Sequence, residues 1–386
     1  MTSLAVRGGM VYTDATSVDA HVFVEGTRIR MVDAASTERC AQVVDATDCS
    51  VLPGFVDLQV NGAAGVDLTT QPQRIGEVAD FLVQFGVTSF MPTVISSPAA
   101  DMNAAIAKIH RWSHEGQPSA RSLGVHLEGP YLNPQRVGAH PMRHLRLPTL
   151  ADVDGWHSHA GVAMVTLAPE LPGAIGVIEL LVANGVSVCA GHTIANPVEL
   201  TAAVAAGVRG VTHLFNAMGP MSARLPGAGG ATLAHPALIA GLIVDGLHVD
   251  PTMVLVAWQA LGPNRIALVS DAISALGLPD GEFSIGDTSV VVDGTAARTK
   301  DGVLAGSVLR FDEAVRNLMA FTGCGLAEAS LAASTTPARL AQRHDIGRLA
   351  AGYAADIVVL DKRGHVVVTI VDGRVVFDPQ QRCIGP

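Results

Sequence analysis

The stretch VSVCAGHTIANPVELTAAVAAGVRGVTHLFNA, residues 186–217, decides the fold because it contains one complete strand–helix–strand unit. An apolar run ends at His192, an alanine-rich segment with helical spacing covers 196–206, and a second apolar run leads to His213. Neighbouring parallel strands end at the same edge of a sheet, so both imidazoles are expected to face one point. Either histidine alone, however, could be a core residue bonded to a backbone carbonyl.

The same alternation extends in both directions along the chain. Glycine often marks the return from a helix to the next strand, as in NGVSV and AGVRG. Eight strands in strict alternation predict an α/β fold, a (β/α)8 TIM-like barrel, with an open doubly wound sheet as the alternative. The predicted strands are 51–58, 87–94, 122–129, 162–169, 186–192, 209–215, 239–245 and 265–271, and the predicted helices are 73–85, 99–112, 173–184, 196–206 and 251–261.

Both ends of the chain have a different pattern. Residues 1–50 and 354–377 contain short alternating runs separated by turn residues, which is typical of β-structure. Neither end can form a stable sheet alone, so we expect the two to pair as one small β-sandwich domain into which the barrel is inserted. The predicted division is 1–50 plus 345–386 for this domain and 51–344 for the barrel. Within the barrel, 274–307 is expected to cover the site and 311–344 to be helical.

Composition excludes several classes of protein. A net charge of −10, without a basic tract, argues against nucleic-acid binding. The mean hydropathy of +0.36 is high, but the most apolar region, 160–192, is interrupted by Glu170, Pro172 and Glu179, so no membrane span is predicted. The start of the chain lacks a signal-peptide pattern, and the five cysteines show no CxxC pair. We therefore expect a cytoplasmic protein with reduced thiols.

Two carboxylates complete the set of candidate functional residues. Glu128 ends the run GVHLEGP and Asp271 ends IALVSDA, at the edge where barrels place their chemistry. One carboxylate with two imidazoles suits zinc with a position open for water, which leaves Asp271 to move a proton. The pattern predicts a metal-dependent hydrolase. The alternative for Glu128 is a buried carboxylate held by backbone amides.

The end of the first barrel strand, PGFVDLQVNG at 53–62, resembles the amidohydrolase superfamily. In that superfamily the pattern PGFxDxHxH supplies two histidines to a metal, whereas this chain has Gln59 and Asn61 at those positions. Amides are poor zinc ligands, so the resemblance implies that a second metal site is absent or weak, with Gln59 and Asn61 as its remnant. Gln59 could instead hydrogen-bond a water or the substrate, or merely fill the top of the barrel.

Further motifs resemble the amino-sugar-phosphate deacetylases of that superfamily, in order over nearly the whole chain. They are QxN at 59–61, HLEGPY at 126–131, AGHT at 190–193, THLFNAM at 212–218, DGLHV at 245–249, VSDA at 269–272, LAGS at 304–307 and IGRLAAGYAADIVVLD at 346–361. The resemblance implies hydrolysis of the acetamide of N-acetylglucosamine 6-phosphate, in amino-sugar catabolism and cell-wall sugar recycling. It also implies one divalent metal ion per subunit, expected to be zinc, on Glu128, His192 and His213, with Asp271 as general base and acid.

The resemblance also implies where the substrate binds and how subunits assemble. The implied substrate-binding residues are Ala139, His140, Asn216, Ala217, Arg224, His248, Leu304, Ala305 and Gly306. Arg224 matches a phosphate-binding residue that reaches in from the neighbouring subunit, which implies a homodimer. For Arg224, His140 and His248 the alternative is an exposed loop position.

Two other functions stay open at this point. An amidohydrolase of a cyclic amide would need HxH on the first strand and a bridging lysine, and Gln59 and Asn61 count against it. An inactive sugar-phosphate-binding protein would not need both a proton carrier and a complete ligand set.

Overall fold

The central element is a barrel of eight parallel strands. The computed structural model describes residues 3–14, 16–36, 38–116, 118–294 and 296–385. The barrel strands, referred to below as the first to the eighth, are Phe55–Val60, Val87–Ile95, Val125–Glu128, Val162–Leu167, Ser187–Ala190, Gly210–Val211, Ile239–Leu242 and Ile266–Leu268. They pair in chain order, and a short strand, Arg121–Ser122, lies beside the second.

The barrel closes where its last strand returns to its first. Val60 and Ala272 form a parallel bridge, and the Asn61 amide donates to the Ala272 carbonyl at 2.7 Å. Apart from half-buried Ala163, the residues of these strands are buried, as expected of parallel strands covered by helices. The predicted TIM-like barrel is confirmed.

The helices between the strands follow local sequence signals. In Pro197–Ala206, Asn196 and Glu199 form a capping box, proline occupies the first turn, and Gly207 follows the last residue. All five predicted helices are present. Gly227–Ala234 is a further helix, which the sequence did not predict because its glycines are unfavourable in helices. The α-helices are Ile75–Leu82, Ala99–Ser113, Ala174–Ala183, Pro197–Ala206, Gly227–Ala234, Pro251–Leu261, Phe311–Thr322, Leu326–Ser330 and Thr336–Leu340, with a π-helical turn at Leu331–Thr335.

Short 3₁₀ turns occur at Pro72–Arg74, Val83–Phe85, Pro134–Arg136, Met142–His144, Ala151–Val153 and Ser158–Ala160. Among the described helices, none has the length and apolar character needed to cross a membrane.

The two chain ends form two further sheets with a shared apolar core. One sheet contains Ser3–Arg7, His21–Glu25, Arg28–Asp33, Gln42–Asp45 and Cys383–Ile384; the other contains Met10–Thr13, Thr16–Asp19, Ser50–Pro53, Ile357–Leu360, Val366–Val371 and Arg374–Phe377. Val22 and Val44 from the first sheet pack with Ile357 and Val368 from the second. The expected β-sandwich built from both termini is therefore present.

One predicted strand is wrong in its extent. The strand predicted over 51–58 is two strands, because Ser50–Pro53 pairs with Ile357–Leu360 in the terminal sheet and only Phe55–Val60 enters the barrel. Gly54 separates them, in a place where a β-carbon would lie 2.2 Å from the Thr88 hydroxyl. Apolar residues run through both strands and concealed the break, although the Pro53-Gly54 pair between them is itself a turn signal.

A small antiparallel sheet covers one side of the barrel mouth. Its strands are Gly281–Ile285, Thr288–Asp293, Ala296–Thr299 and Leu304–Ser307, and we call it the cover sheet. The Thr288 hydroxyl donates to the Ala139 carbonyl at 2.9 Å, and the Gly286 amide donates to Asp67 at 2.8 Å. A further two-stranded ribbon, Gly62–Ala63 with Val66–Asp67, lies beneath it.

A buried ion pair joins the barrel to the terminal sheet. The Arg121 guanidinium donates to both carboxylate oxygens of Asp356, at 2.8 and 3.1 Å, and lies 2.6 Å from Asp372. Asp356 is almost fully buried and belongs to the terminal segment, whereas Arg121 precedes the third barrel strand. Removing one member of such a pair leaves the other buried without full compensation.

We expect Asp356→Ala to lower the free energy of unfolding by about 3 kcal/mol, as for other broken buried pairs. Denaturant unfolding followed by circular dichroism measures this change. Lys362→Ala is the control, because the Asp48–Lys362 pair is largely exposed and should contribute little. Equal stability of the two variants would contradict a structural role for the Arg121 junction.

Candidate active site

A cavity of about 550 Å³ opens at the C-terminal ends of the barrel strands. Its walls come from the second, third, fifth, sixth, seventh and eighth strand ends, the loop after the third strand and the cover sheet. Glu128, His192, His213 and Asp271 all line it. The sequence expectation that these four side chains converge is therefore met.

The backbone turns sharply where these residues stand. Glu128 is the last residue of its strand, but the strands before His192, His213 and Asp271 end two to four residues earlier than the sequence predicts. At these three residues φ is positive, at 49°, 31° and 51°, in the left-handed region that residues with a β-carbon seldom adopt. The chain thus leaves the sheet abruptly and aims each side chain into the barrel mouth.

The two imidazoles and the Glu128 carboxylate form a tight cluster. Glu128 Oε1 lies 2.9 Å from His213 Nε2 and 3.3 Å from His192 Nε2, and the two Nε2 atoms are 3.1 Å apart. Ligand nitrogens about 2 Å from one tetrahedral zinc ion would be separated by about 3.3 Å. The spacing and the donor set therefore fit a single small divalent cation.

The protonation state of His192 also suits a metal ligand. Its Nδ1–H donates to the Arg136 carbonyl at 2.8 Å, which fixes the tautomer and leaves a lone pair on Nε2. Burial lowers the pKa of His192 to about 4, so the ring is neutral at pH 7.

Gln59 and Asn61 lie behind this cluster and each donates to one carboxylate. Gln59 Nε2 donates to Glu128 Oε1 at 3.1 Å, and Asn61 Nδ2 donates to Asp271 Oδ1 at 2.8 Å. Both amides are buried. Their amide hydrogen bonds hold Glu128 and Asp271 in place. A histidine at either position that used its nitrogen to bind a metal could not donate a hydrogen bond from that nitrogen.

His140 approaches Glu128 from the other side. The ligand atoms of Glu128, His140 and His192 all lie within 4.8 Å of one another, so His140 is a geometric candidate for a ligand. The Ser96 amide, however, donates to His140 Nδ1 at 3.3 Å, which places the proton of the neutral ring on Nε2. That nitrogen is 3.6 Å from Glu128 Oε2, which is beyond hydrogen-bonding distance, and the ring lines the cavity.

Asp271 is a carboxylate with a raised proton affinity. Burial raises its pKa to about 6, and the neighbouring charge of Glu128 acts in the same direction. A carboxyl group with a pKa near the working pH can both accept and return a proton.

His248 is held by a neighbouring carboxylate that sequence reasoning missed. Its Nδ1 lies 2.7 Å from Asp245 Oδ2, and both side chains are nearly buried. The spacing DxxH in DGLHV was the available signal, since Asp245 also accepts from the His248 amide at 2.8 Å. The imidazole is thereby oriented at the wall of the cavity.

The structure brings together most of the residues expected to bind substrate. Of that set, the cavity is lined by Ala139, His140, Asn216, Ala217, His248, Leu304 and Gly306. Ala305 points the other way, into the apolar core of the cover sheet with Ile273. Arg224 lies on an exposed loop and does not line the cavity of its own chain.

Two arginines line the cavity that the sequence did not single out. Arg136 belongs to the loop after the third strand, and Arg298 to the cover strand Ala296–Thr299. Ala297 is buried in the core of the cover sheet, so alternation along the strand turns Arg298 to the opposite face. Neither arginine belongs to a recognisable motif, so sequence reasoning could not predict that either lines the cavity.

Asp57 forms part of the floor beneath the site. Its Oδ1 accepts from the amides of Ser270 and Gln59, at 3.2 and 3.3 Å, and so ties the first strand to the segment that carries Asp271. Among the described residues, none hydrogen-bonds to its other oxygen, Oδ2. Burial raises the pKa of Asp57 from 3.8 to about 7, although the hydrogen bonds from Ser270 oppose the shift.

Comparison with known proteins gives a consistent set of similarities. The sequence model of the Amidohydrolase family matches residues 50–376. The chain is 34% identical to N-acetylglucosamine-6-phosphate deacetylase of Vibrio furnissii, over 93% of this chain and 91% of that protein. It is 35% identical to N-acetylgalactosamine-6-phosphate deacetylase of Escherichia coli O157:H7, over 96% and 98%.

A solved structure from Mycobacterium smegmatis is also similar to this chain. It is an N-acetyl-D-glucosamine-6-phosphate deacetylase with an aspartate-to-alanine mutation, in complex with N-acetyl-D-glucosamine 6-phosphate. The TM-score is 0.91 at 29% identity, with 98% of this chain and all of that chain covered.

The raised pKa of Asp57 predicts a specific dependence of stability on pH. Between about 4 and about 7 the unfolded chain has released this proton while the folded chain keeps it, so this group makes unfolding easier as the pH rises. Asp57→Asn cannot titrate, and its unfolding free energy relative to the parent chain should increase over that range. Thermal or denaturant unfolding at several pH values measures the difference, with the exposed Asp154→Asn as control. Parallel pH curves for Asp57→Asn and the parent would refute the assignment.

Proposed function

The chain belongs to the amidohydrolase family, and from that premise we propose that it hydrolyses the acetamide of N-acetylglucosamine 6-phosphate to glucosamine 6-phosphate and acetate. The observation that carries the proposal is the Glu128, His192 and His213 cluster beside Asp271 in one cavity. A cytoplasmic location stays a prediction from the sequence. The division of the chain into a barrel domain, 51–344, and a domain of the terminal residues also stays a prediction.

Glu128, His192 and His213 would hold one divalent cation per subunit, which we propose to be zinc. A cation in that position supplies Lewis acidity, which activates a water and polarises the carbonyl oxygen of the substrate. Two imidazole nitrogens and a carboxylate oxygen are ligands that zinc favours. The amides of Gln59 and Asn61 are poor ligands and already donate to the carboxylates, which supports one ion rather than two.

Asp271 is proposed to move the proton in both halves of the reaction. Its Oδ1 accepts from Asn61, so Oδ2 is the oxygen available to reacting groups. Asp271 takes a proton from the attacking water as the new carbon–oxygen bond forms, and gives it to the nitrogen as the carbon–nitrogen bond breaks. The amine leaves only when protonated, so one carboxyl group serves both steps.

The polar groups on the cavity wall are suited to the sugar and its acetamide. His248, oriented by Asp245, can donate to the carbonyl oxygen on which negative charge develops. Asn216 and Ala217 after the sixth strand, with Leu304 and Gly306 of the cover sheet, line the remaining wall. We propose that these residues, with His140 and Ala139, position the sugar ring and acetyl group.

The phosphate group needs local positive charge in a chain with a net charge of −10. Arg136 and Arg298 line the cavity from within the same chain, and we propose that they bind the phosphate directly. Exposed Arg224 is proposed to complete the same subsite in a partner subunit of a homodimer, in keeping with the sequence resemblance. The phosphate subsite would then be shared between two chains.

The 4-epimer of the sugar is a second candidate substrate. The Escherichia coli relative acts on N-acetylgalactosamine 6-phosphate by name, and its identity to this chain, 35%, is as high as that of the Vibrio furnissii protein, 34%. The two sugars differ only in the orientation of one hydroxyl, which lies away from the acetamide. Both substrates therefore belong in the first assay.

Acetate release from each 6-phosphate, in the presence of added zinc, tests the proposed function. Asp271→Asn should lower kcat at least about 100-fold, the lower range for general acid–base catalysis, while bound metal is unchanged. The exposed Asp154→Asn carries the same chemical change as a control. A parent protein that releases acetate from neither sugar overturns the proposal, and loss of metal in Asp271→Asn would make Asp271 a ligand instead.

The role of Arg298 predicts selectivity for the phosphate. Arg298→Gln should raise KM for the phosphorylated substrate about tenfold or more, because a charged hydrogen bond is lost, and should change KM for the unphosphorylated sugar little. Lys300→Gln is the matched control. Lys300 is an exposed cation next to the same strand, and it does not line the cavity. The same KM change for both sugars would assign Arg298 to the structure of the cover sheet.

Subunit mixing tests whether Arg224 acts in trans. Arg224→Ala should also raise KM for the 6-phosphate selectively. In a heterodimer of Arg224→Ala with Asp271→Asn, one site carries both defects and the other carries neither, so activity should partly return. If subunit exchange is verified and no activity returns, Arg224 does not act across a dimer interface.

A further inference from the structure

A second cavity lies at the opposite end of the barrel from the candidate active site. It has a volume of about 610 Å³, and we call it the lower cavity. Its walls include Ser187 and Ile239, which begin the fifth and seventh strands, and Arg265, which precedes the eighth. Small-molecule sites in proteins have volumes of about 300–1,000 Å³, so the lower cavity is large enough for a metabolite.

The polar lining of the lower cavity is strongly cationic. Arg209, Arg265 and Arg339 line it, and no aspartate or glutamate does. Among the described residues, the side-chain hydrogen bonds of all three go to backbone carbonyls and none goes to a carboxylate. Partial burial lowers the pKa of Arg265, and no acidic group offsets the shift.

Each guanidinium is held in place by backbone carbonyls. Arg265 donates to the carbonyls of His235 and Ala260, at 2.8 and 2.6 Å. Arg209 donates to those of Val204 and Val208 through one nitrogen, at 3.0 and 2.9 Å, and Arg339 donates to that of Asn264.

These contacts use only some of the five N–H donors of each guanidinium and leave its charge uncompensated. Fixed donors lose little conformational entropy when a ligand binds. The three guanidinium groups are therefore held in place around the lower cavity, and they supply its positive charge.

We propose that the lower cavity binds the phosphate group of a small phosphorylated metabolite. A phosphate dianion has the charge and the several acceptor oxygens that a group of guanidinium donors requires. The apolar side chains of Val182, Val188 and Leu340 also line the lower cavity and would contact the carbon part of the ligand. Because this cavity is at the other end of the barrel, its ligand would not compete with substrate at the candidate active site.

Equilibrium dialysis of the protein with radiolabelled inorganic phosphate, and separately with glucosamine 6-phosphate, tests the proposal. Arg298→Gln provides a background in which binding at the candidate active site is weakened. In that background Arg209→Gln should weaken the remaining binding about tenfold or more, since one charged hydrogen-bond donor is lost. Arg363→Gln, an exposed arginine outside the lower cavity, should leave binding unchanged. Tighter binding of the sugar phosphate than of inorganic phosphate would identify an ester as the ligand, and equal binding the free anion.

Arg339→Gln provides an independent test at a second position and should weaken the same binding. Circular dichroism and thermal unfolding establish that each variant is folded. Binding that is the same in Arg209→Gln, Arg339→Gln and Arg363→Gln would overturn the proposal, as would the absence of any phosphate binding in the Arg298→Gln background. Acetate release by the parent protein is measured separately, so failure of the lower cavity is distinguishable from failure of the proposed reaction.

Discussion

A buried carboxylate between two imidazole nitrogens is the interaction on which the rest of the site depends. Glu128 Oε1 lies within 3.3 Å of both Nε2 atoms, in a place almost closed to solvent. Burying a charged carboxylate is costly unless it is paired and hydrogen-bonded, so the surrounding structure has to supply partners. Gln59 donates to it from the first strand, and the Arg136 carbonyl fixes the ring of His192 from the loop above.

The barrel provides this geometry at a conformational cost. His192, His213 and Asp271 all adopt left-handed backbone angles, which cost about 1–2 kcal/mol each relative to ordinary conformations. Such strain persists only where packing and hydrogen bonds determine the conformation. Here backbone hydrogen bonds from the amides of Gly191, Thr193, Thr212 and Leu214 flank the two histidine turns. The Asp57 contact to Ser270 and the Asn61 contact to Asp271 hold the third turn. The fold thereby stores strain at the residues proposed to perform the reaction.

Sequence reasoning predicted the barrel and the convergence of the four central residues because both follow from periodicity and from the common edge of parallel strands. It did not separate Ser50–Pro53 from Phe55–Val60, because apolar residues continue across the junction, although the Pro53-Gly54 pair was an available turn signal. The contacts of Gln59 and Asn61 to two different carboxylates likewise depend on three-dimensional position. Arg298 was missed because its role depends on how the cover sheet folds over the mouth, and an arginine in a short β-strand carries no motif.

The central claim is that one cation is held by Glu128, His192 and His213, with the amides at 59 and 61 excluding a second. Anomalous diffraction from crystals of the zinc-loaded protein, recorded on both sides of the zinc absorption edge, measures this directly. The account predicts a single strong peak per chain, in contact with Glu128 and with Nε2 of both His192 and His213. A second peak of similar strength beside Gln59 and Asn61, or a single peak on His140 that does not touch His213, would contradict it.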